Sequence, residues 1–128
     1  MDFPLNTLLL EGLIDHQQFD LAKNIFSHLM KAVIKNLRSS KNFFKLYDAN
    51  SGTCSGEYNI INGMIPLRVF LRLLGIHQWT DGEIEFMGSS VFKNEIRIFY
   101  RGLSIICSQK GHTIITATGN KIELKTRN

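Results

Sequence analysis

The sequence predicts an α+β fold in which helices precede a small antiparallel sheet. Before Gly75, apolar residues recur at three- and four-residue spacing, which is typical of helices that bury one face. After Gly82 the apolar spacing changes to two, the period of a strand with one buried face. Lys110-Gly111 and Gly119-Asn120 are turn signals between successive runs, so the second half is predicted as an antiparallel meander.

The composition is that of a folded, mildly basic chain. Of the 128 residues, 44% are hydrophobic, which is enough for a core of ordinary size. The 15 Lys and Arg residues exceed the 11 Asp and Glu residues and give a net charge of +4, but they are scattered along the chain. Scattered charge is typical of a solvated surface rather than of a nucleic-acid reader, so we predict no nucleic-acid partner.

The chain start carries no secretory signal. It lacks a basic n-region, and Glu11 and Gly12 interrupt its apolar run, so we expect no membrane partner and a cytoplasmic location. Cys54 and Cys107 are too few for a disulfide framework and are predicted as free thiols. The histidines are too dispersed to suggest a metal site, and we expect no cofactor. They are His16, His28, His77 and His112.

The first two helices are predicted to form an antiparallel hairpin. Pro4 suits a first helical turn, where its missing N–H would have had no partner, and the leucines after it predict a helix over 4–14. A short connection at 15–17 favours antiparallel packing of the next helix. That helix carries an apolar stripe at helical spacing. The stripe consists of Ala22, Ile25, Phe26, Leu29, Met30, Val33, Ile34 and Leu37.

An extended segment, a turn, a polar loop and a third helix are predicted next. Residues 43–47 have an aromatic-rich extended pattern, and residues 50–52 supply the turn chemistry that ends it. The third helix is predicted to begin around 62–66 and to end at Gly75, a residue suited to the left-handed position that closes a helix.

The third helix is polar only at Arg68 and Arg72. A helix that is apolar on nearly every side is normally enclosed on every side, yet this chain offers it one hairpin and a small sheet. We therefore predict that the helices expose an apolar patch, which further helices or a second copy would cover. Residues 1–76 are predicted as a helical domain and residues 77–128 as a β cap.

Carboxylates, amides and aromatic rings gather around the predicted polar loop. Aromatic rings beside short polar side chains suit a sugar, whose C–H face stacks and whose hydroxyls form hydrogen bonds. A purely structural role stays open, because Asp48 and Asn50 also suit the turn and Asn62 also suits a helix cap. The predicted sugar-binding residues are Tyr47, Asp48, Glu57, Tyr58, Asn59 and Asn62.

Two stretches carry a resemblance to a known family. Residues 43–52 read FFKLYDANSG, and residues 61–76 read ING-x-IPL-x-x-FL-x-x-LGI. Preceded by a Leu-rich helix with Glu-Gly-Leu, they resemble the last helices of the (α/α)6-barrel glycoside hydrolases. These six-hairpin glycosidases include glucoamylases, glycogen-debranching glucosidases and mannosylglycerate hydrolase-like enzymes. The resemblance covers roughly residues 2–76, and the tail is similar to the strand-rich cap that follows some of these barrels.

The resemblance implies carbohydrate hydrolysis with inversion, in which one carboxylic acid protonates the leaving oxygen and a second carboxylate activates water. In the Glu-x-aromatic-Asp pattern of the family, Lys45 stands where the basic Glu is expected. An ammonium group does not accept a proton from water, which leaves Glu57 as a candidate base. The general acid is expected upstream, in a barrel half outside this sequence, so we predict no hydrolysis by this chain alone.

Two other functions stay open. A carbohydrate- or protein-interaction module would use the meander as its working surface and the helices as its support. A small RNA-cleaving enzyme would place four basic residues on one sheet face, although Phe99 shares that face with two of them. The four are Arg97, Arg101, Lys110 and His112.

Overall fold

The chain forms two compact units. The computed structural model describes residues 1–59 and 67–125, which divide into a helical unit, Met1–Val69, and a sheet unit, Phe70–Asn128. The described residues contain three helices and eight strands, which confirms the predicted α+β class. The division falls inside the third helix, whereas the sequence placed it after Ile76.

The helices are α1 Phe3–Asp15, α2 Phe19–Ser40 and α3 Leu67–Leu73. Asp2 caps α1, because its Oδ1 accepts a hydrogen bond of 3.2 Å from the Leu5 N–H. Lys41 ends α2 in the left-handed conformation, with φ of 61°. Both hairpin helices were predicted, and α1 and α2 pack on each other. Within the part of the chain that the structure describes, no helix combines the length and hydropathy needed to cross a bilayer.

A two-stranded hairpin completes the helical unit. Strand β1, Phe44–Tyr47, pairs antiparallel with β2, Cys54–Tyr58. The prediction of an extended segment at 43–47 is confirmed, but the prediction of a polar loop after the turn is wrong. The polar sequence of β2 has little strand propensity of its own, and its conformation comes from pairing with β1.

Six strands follow α3 in the sheet unit. The first two, β3 Ile76–Trp79 and β4 Ile84–Phe86, form an antiparallel pair. The other four are β5 Ile96–Tyr100, β6 Leu103–Ser108, β7 Gly111–Ile115 and β8 Lys121–Lys125, in spatial order β5-β6-β7-β8. The predicted meander is confirmed, whereas β3 was not predicted. Every residue of the edge strand β8 is exposed, and its Lys121 and Glu123 form an ion pair of 2.7 Å.

The core of the sheet unit centres on four fully buried residues, which are Leu74, Ile76, Ile105 and Cys107. Gly75 ends α3 with φ of +85°, as predicted. The buried His112 lies beside Gly75, and its Nε2 is 2.7 Å from the Leu74 carbonyl oxygen. Burial raises the pKa of the Cys107 thiol to about 11, so this thiol is a packing group rather than a nucleophile at neutral pH.

Candidate functional site

The β1–β2 hairpin carries most of the predicted sugar-binding residues, but at opposite ends. Tyr47 ends β1 and pairs with Cys54, while Tyr58 ends β2 and pairs with Phe44. Asp48 therefore lies four positions from the Tyr58 end, or about 13 Å along the hairpin at the usual rise per residue. Asn62 lies outside the described residues. The structure thus separates the turn carboxylate from the exposed aromatic ring.

Tyr47 is a core residue and is only 1% exposed. Its ring meets the Phe3 ring edge-on, with centroids 5.5 Å apart. Its hydroxyl oxygen accepts a hydrogen bond of 2.8 Å from the Phe44 N–H, and burial is the main cause that raises its pKa. Tyr47 holds the hairpin against the start of α1, so its ring is not available for stacking on a ligand.

Asp48 organises the turn between β1 and β2. One carboxylate oxygen accepts hydrogen bonds from the Ser51 N–H at 2.7 Å, the Ser51 hydroxyl at 2.9 Å and the Asn50 N–H at 3.0 Å. These bonds, with the Ser51 N–H first, lower the pKa of Asp48. A carboxyl group stabilised as the anion in this way is poorly suited to donate a proton to a leaving group.

Side chains of helix α2 also hold this turn. The His28 Nε2, the Lys35 Nζ and the Asn36 Nδ2 donate to three turn carbonyls at 2.7, 2.9 and 2.8 Å. The acceptors are Ala49, Ser51 and Gly52. The spacing of His28 to residues 35 and 36 places all three on one helix face. These three hydrogen bonds from α2 side chains to backbone carbonyls hold the turn in place.

The open end of the hairpin presents the side chains that remain accessible. Tyr58 is 64% exposed and packs only partly on Phe44, with ring centroids 6.2 Å apart. Glu57 is also exposed. The Asn59 amide is used internally, since it donates to the Asn42 side chain at 2.7 Å and accepts from the Phe43 N–H at 3.3 Å.

Helix α1 leaves an apolar face uncovered. Leu5, Leu8 and Leu9 are 68%, 71% and 51% exposed, and their spacing places them together on one side of the helix. We call these three residues the leucine face. The opposite side of α1 is buried through Phe3, Leu10 and Ile14, and the exposure agrees with the apolar patch expected from the sequence.

The sheet unit contains a cleft that the sequence interpretation missed. It has a volume of about 250 Å³ and lies between the tips of the β3–β4 and β5–β6 hairpins. Trp79 and Tyr100 form its aromatic part, with rings 5.5 Å apart at 86°. The remaining lining residues are Thr80, Asp81, Gly82, Glu83, Ile84, Arg101 and Leu103. The sequence signal for this cleft was an aromatic residue, Trp79 or Tyr100, directly before each of two short turns.

Two polar contacts organise this cleft. The Arg101 guanidinium forms an ion pair with Asp81 across the two tips, and it also lies 5.2 Å from the centre of the Tyr100 ring. The Thr80 N–H donates to the Glu83 carbonyl at 2.9 Å and closes the first tip. Among the described residues, the Glu83 carboxylate has no hydrogen bond or ion pair, so it faces solvent with its acceptors unused.

One member of the basic set in the RNA-cleaving alternative, His112, is buried. Arg97, Arg101 and Lys110 are exposed, but His112 is 4% exposed and its Nε2 is bound to the Leu74 carbonyl. Across residues 1–59 and 67–125, no three His, Cys, Asp or Glu side chains are grouped to hold a metal ion. Cys54 and Cys107 are both free thiols, as predicted.

Comparison with protein-family models, with curated proteins and with solved structures finds no match to this chain.

Proposed function

We propose that this chain is the C-terminal part of a six-hairpin, glycoside-hydrolase-like protein, and that its helical unit forms one wall of a carbohydrate site without hydrolysing the sugar itself. The observation that carries the proposal is the leucine face of α1. The barrel implied by the sequence resemblance would flank the α1–α2 hairpin with further helices. Those helices would cover the leucine face.

Burying the leucine face against further helices would be energetically favourable. Burying a leucine side chain contributes about 1.5–3 kcal/mol relative to leaving it in water. Leu5, Leu8 and Leu9 lie mostly in water, so most of that free energy is still available for association. Arg68 and Glu11, which pair at 3.3 Å between α3 and α1, add a polar border that would orient a neighbouring helix.

The side chains of the hairpin support a binding role more than a catalytic one. An inverting glycosidase needs a carboxylic acid and a carboxylate about 6.5–9.5 Å apart on opposite sides of the sugar. Asp48 is committed to its own turn, and Lys45 replaces the expected base. The proposal therefore assigns sugar stacking to Tyr58 and hydroxyl binding to Glu57, with Tyr47, Asp48 and Asn59 positioning the hairpin.

Light scattering coupled to size-exclusion chromatography tests the uncovered wall. We expect the purified chain to show a mass above its monomer mass of 14.6 kDa, because the leucine face of one copy would cover that of another. Leu8→Gln should return the chain to the monomer. Ile122→Gln, which removes an exposed apolar side chain of the sheet unit, should leave the mass unchanged. Monomeric behaviour of both the parent chain and Leu8→Gln would contradict the proposal.

An activity measurement tests the second half of the proposal. Incubation with p-nitrophenyl α- and β-glycosides should release no nitrophenol above the buffer control. A rate that disappears in Glu57→Gln and persists in Asp48→Asn would instead identify Glu57 as a catalytic base, and the non-catalytic role would be wrong.

A further inference from the structure

The cleft between the β3–β4 and β5–β6 tips brings aromatic and charged side chains together. It joins two aromatic rings, two carboxylates and one guanidinium within a volume of about 250 Å³. All of these groups belong to the sheet unit. They are separate from the leucine face and from the β1–β2 hairpin, on which the proposed function depends.

We propose that this cleft binds a single pyranose ring. The aromatic part offers a stacking surface, since Tyr100 is 49% exposed and Trp79 is half-buried beside it. The weakly positive C–H groups on one face of a pyranose pack well on the electron-rich face of an aromatic ring. The volume is below the roughly 300–1,000 Å³ of drug-sized ligand sites, which favours one ring over a chain of sugars.

The polar groups match the rim of hydroxyls around such a ring. The Glu83 carboxylate provides acceptors that no described group occupies, and Asp81 uses one oxygen on Arg101. Arg101 has five N–H donors in a planar fork, and a single one of its nitrogens is engaged by Asp81. Acceptors beside donors suit a neutral polyol, because each hydroxyl both donates and accepts.

The conformation of Arg101 provides a second, independent argument. Arg101 and Gly102 form the two-residue connection between β5 and β6, and both have positive φ, at 48° and 78°. Positive φ at both central residues is typical of a type I′ turn, whose first position favours Asn, Asp or Gly. Arg101 at this first position has an unfavourable backbone conformation, but its side chain reaches the cleft. Unfavourable backbone conformations of this kind concentrate at functional sites.

Intrinsic fluorescence gives a direct test, because Trp79 is the single tryptophan of the chain. The probes are methyl α-D-glucopyranoside, methyl α-D-mannopyranoside and methyl β-D-galactopyranoside, titrated separately into the full chain up to tens of millimolar. We expect at least one to change the Trp79 emission saturably, with a Kd on the order of millimolar for a ligand of this size. Choline chloride, titrated in parallel, tests whether the aromatic rings prefer a cation.

Two variants separate binding from folding. Glu83→Gln keeps the shape of the side chain and should weaken binding roughly tenfold, because hydrogen bonds to a charged acceptor are the stronger ones. Arg101→Asn places a favoured residue in the turn, so it should preserve or raise Tm while weakening binding to a similar extent. Ile122→Gln, on the edge strand β8 and outside the cleft lining, should leave the titration unchanged.

Each outcome either supports or overturns the pyranose site. A saturable change that both cleft variants weaken, with Tm retained in Arg101→Asn, supports the pyranose site. Absence of saturation with all three glycosides, equal binding by the parent chain and Glu83→Gln, or saturation with choline alone would each overturn it. An Ile122→Gln effect equal to that of Glu83→Gln would also overturn it, since the loss of binding would then not be specific to the cleft.

Discussion

The helical unit and the sheet unit both expose large apolar side chains, but they distribute them differently. In the sheet unit, Leu74, Ile76 and Ile105 are 0–1% exposed and pack together, while the exposed Phe99 and Ile122 lie on the two edge strands β5 and β8. In the helical unit, Leu10 is fully buried while its neighbours Leu8 and Leu9 lie in solvent. A strand that alternates apolar and polar residues has one face to bury, whereas a helix with leucines all round has more apolar surface than one partner helix covers.

The largest expected effect comes from paired truncations in the two units. Ile105→Ala should lower the free energy of unfolding by about 2–5 kcal/mol, because it leaves a cavity in a fully buried site. At protein concentrations low enough for the monomer, Leu8→Ala should change it by no more than about 0.5 kcal/mol, since Leu8 then contacts mainly water. Urea unfolding followed by circular dichroism measures both.

Comparable losses in Ile105→Ala and Leu8→Ala would break the contrast between the units. Such a result would mean that the leucine face is covered in solution. Repeating the Leu8→Ala measurement at several protein concentrations would then show whether a second copy provides the cover, because the stability of an associated state rises with protein concentration.

The glycines of the two units provide the next contrast. Gly75→Ala would place a Cβ 2.8 Å from the His112 ring, at a residue with φ of +85°. The left-handed conformation and the close contact together should cost about 2–4 kcal/mol. Gly12→Ala is the matched control in α1, where a Cβ would meet no atom within 4 Å, and it should raise stability by about 0.5–1 kcal/mol.

Thermal unfolding of these two variants checks the prediction. We expect a lower Tm for Gly75→Ala and a slightly higher Tm for Gly12→Ala. An unchanged Tm in Gly75→Ala would show that His112 can move away from the Leu74 carbonyl without loss, so that the bond between them is not a constraint on the core.

The smallest expected effect concerns two carboxylates whose pKa values are lowered for different reasons. Hydrogen bonds from Ser51 lower the pKa of Asp48, and the Lys121 side chain lowers that of Glu123. Each group therefore stabilises the fold above its unfolded pKa of about 4, and this contribution is lost as the pH falls through the lower, folded value. The advantage of the parent chain over Asp48→Asn and over Glu123→Gln should shrink between about pH 5 and pH 2.

Added salt separates the two cases. The Glu123 contribution should diminish at about 1 M salt, because an exposed ion pair is screened. The Asp48 contribution should persist, since it comes from hydrogen bonds within a turn rather than from a distant charge. Equal salt sensitivity in urea titrations of the two variants would contradict the assigned causes.

Local signals in the sequence predicted the parts of the fold that depend on nearby residues. Pro4 indicated the first turn of α1, Gly75 the end of α3, and the two-residue period the strands of the meander. Strands β2 and β3 were not predicted because both are short and the sequence of β2 is mostly polar; each becomes a strand through its partner. Pairing of this kind is decided by tertiary context rather than by propensity.

For the candidate sites, too, the sequence indicated residue types but not the contacts between them. The residue types around Asp48 suggested sugar chemistry, but the sequence does not show that Ser51 and Asn50 already satisfy that carboxylate. Nor does it show that the Tyr47 hydroxyl folds back on the Phe44 N–H. Trp79 and Tyr100 meet only because two hairpin tips come together, and this contact depends on the arrangement of the whole sheet unit.

The alternating charges of β8 affect how molecules of this protein associate at high concentration. An edge strand offers unpaired backbone groups to any other extended chain, and charged side chains discourage that encounter. Lys121, Glu123 and Lys125 interrupt the apolar residues of β8 at every second position. Within this four-stranded sheet, fibril growth by strand addition would therefore begin at β5, on the opposite border, and a lysine introduced there would protect concentrated samples more than a further charge in β8.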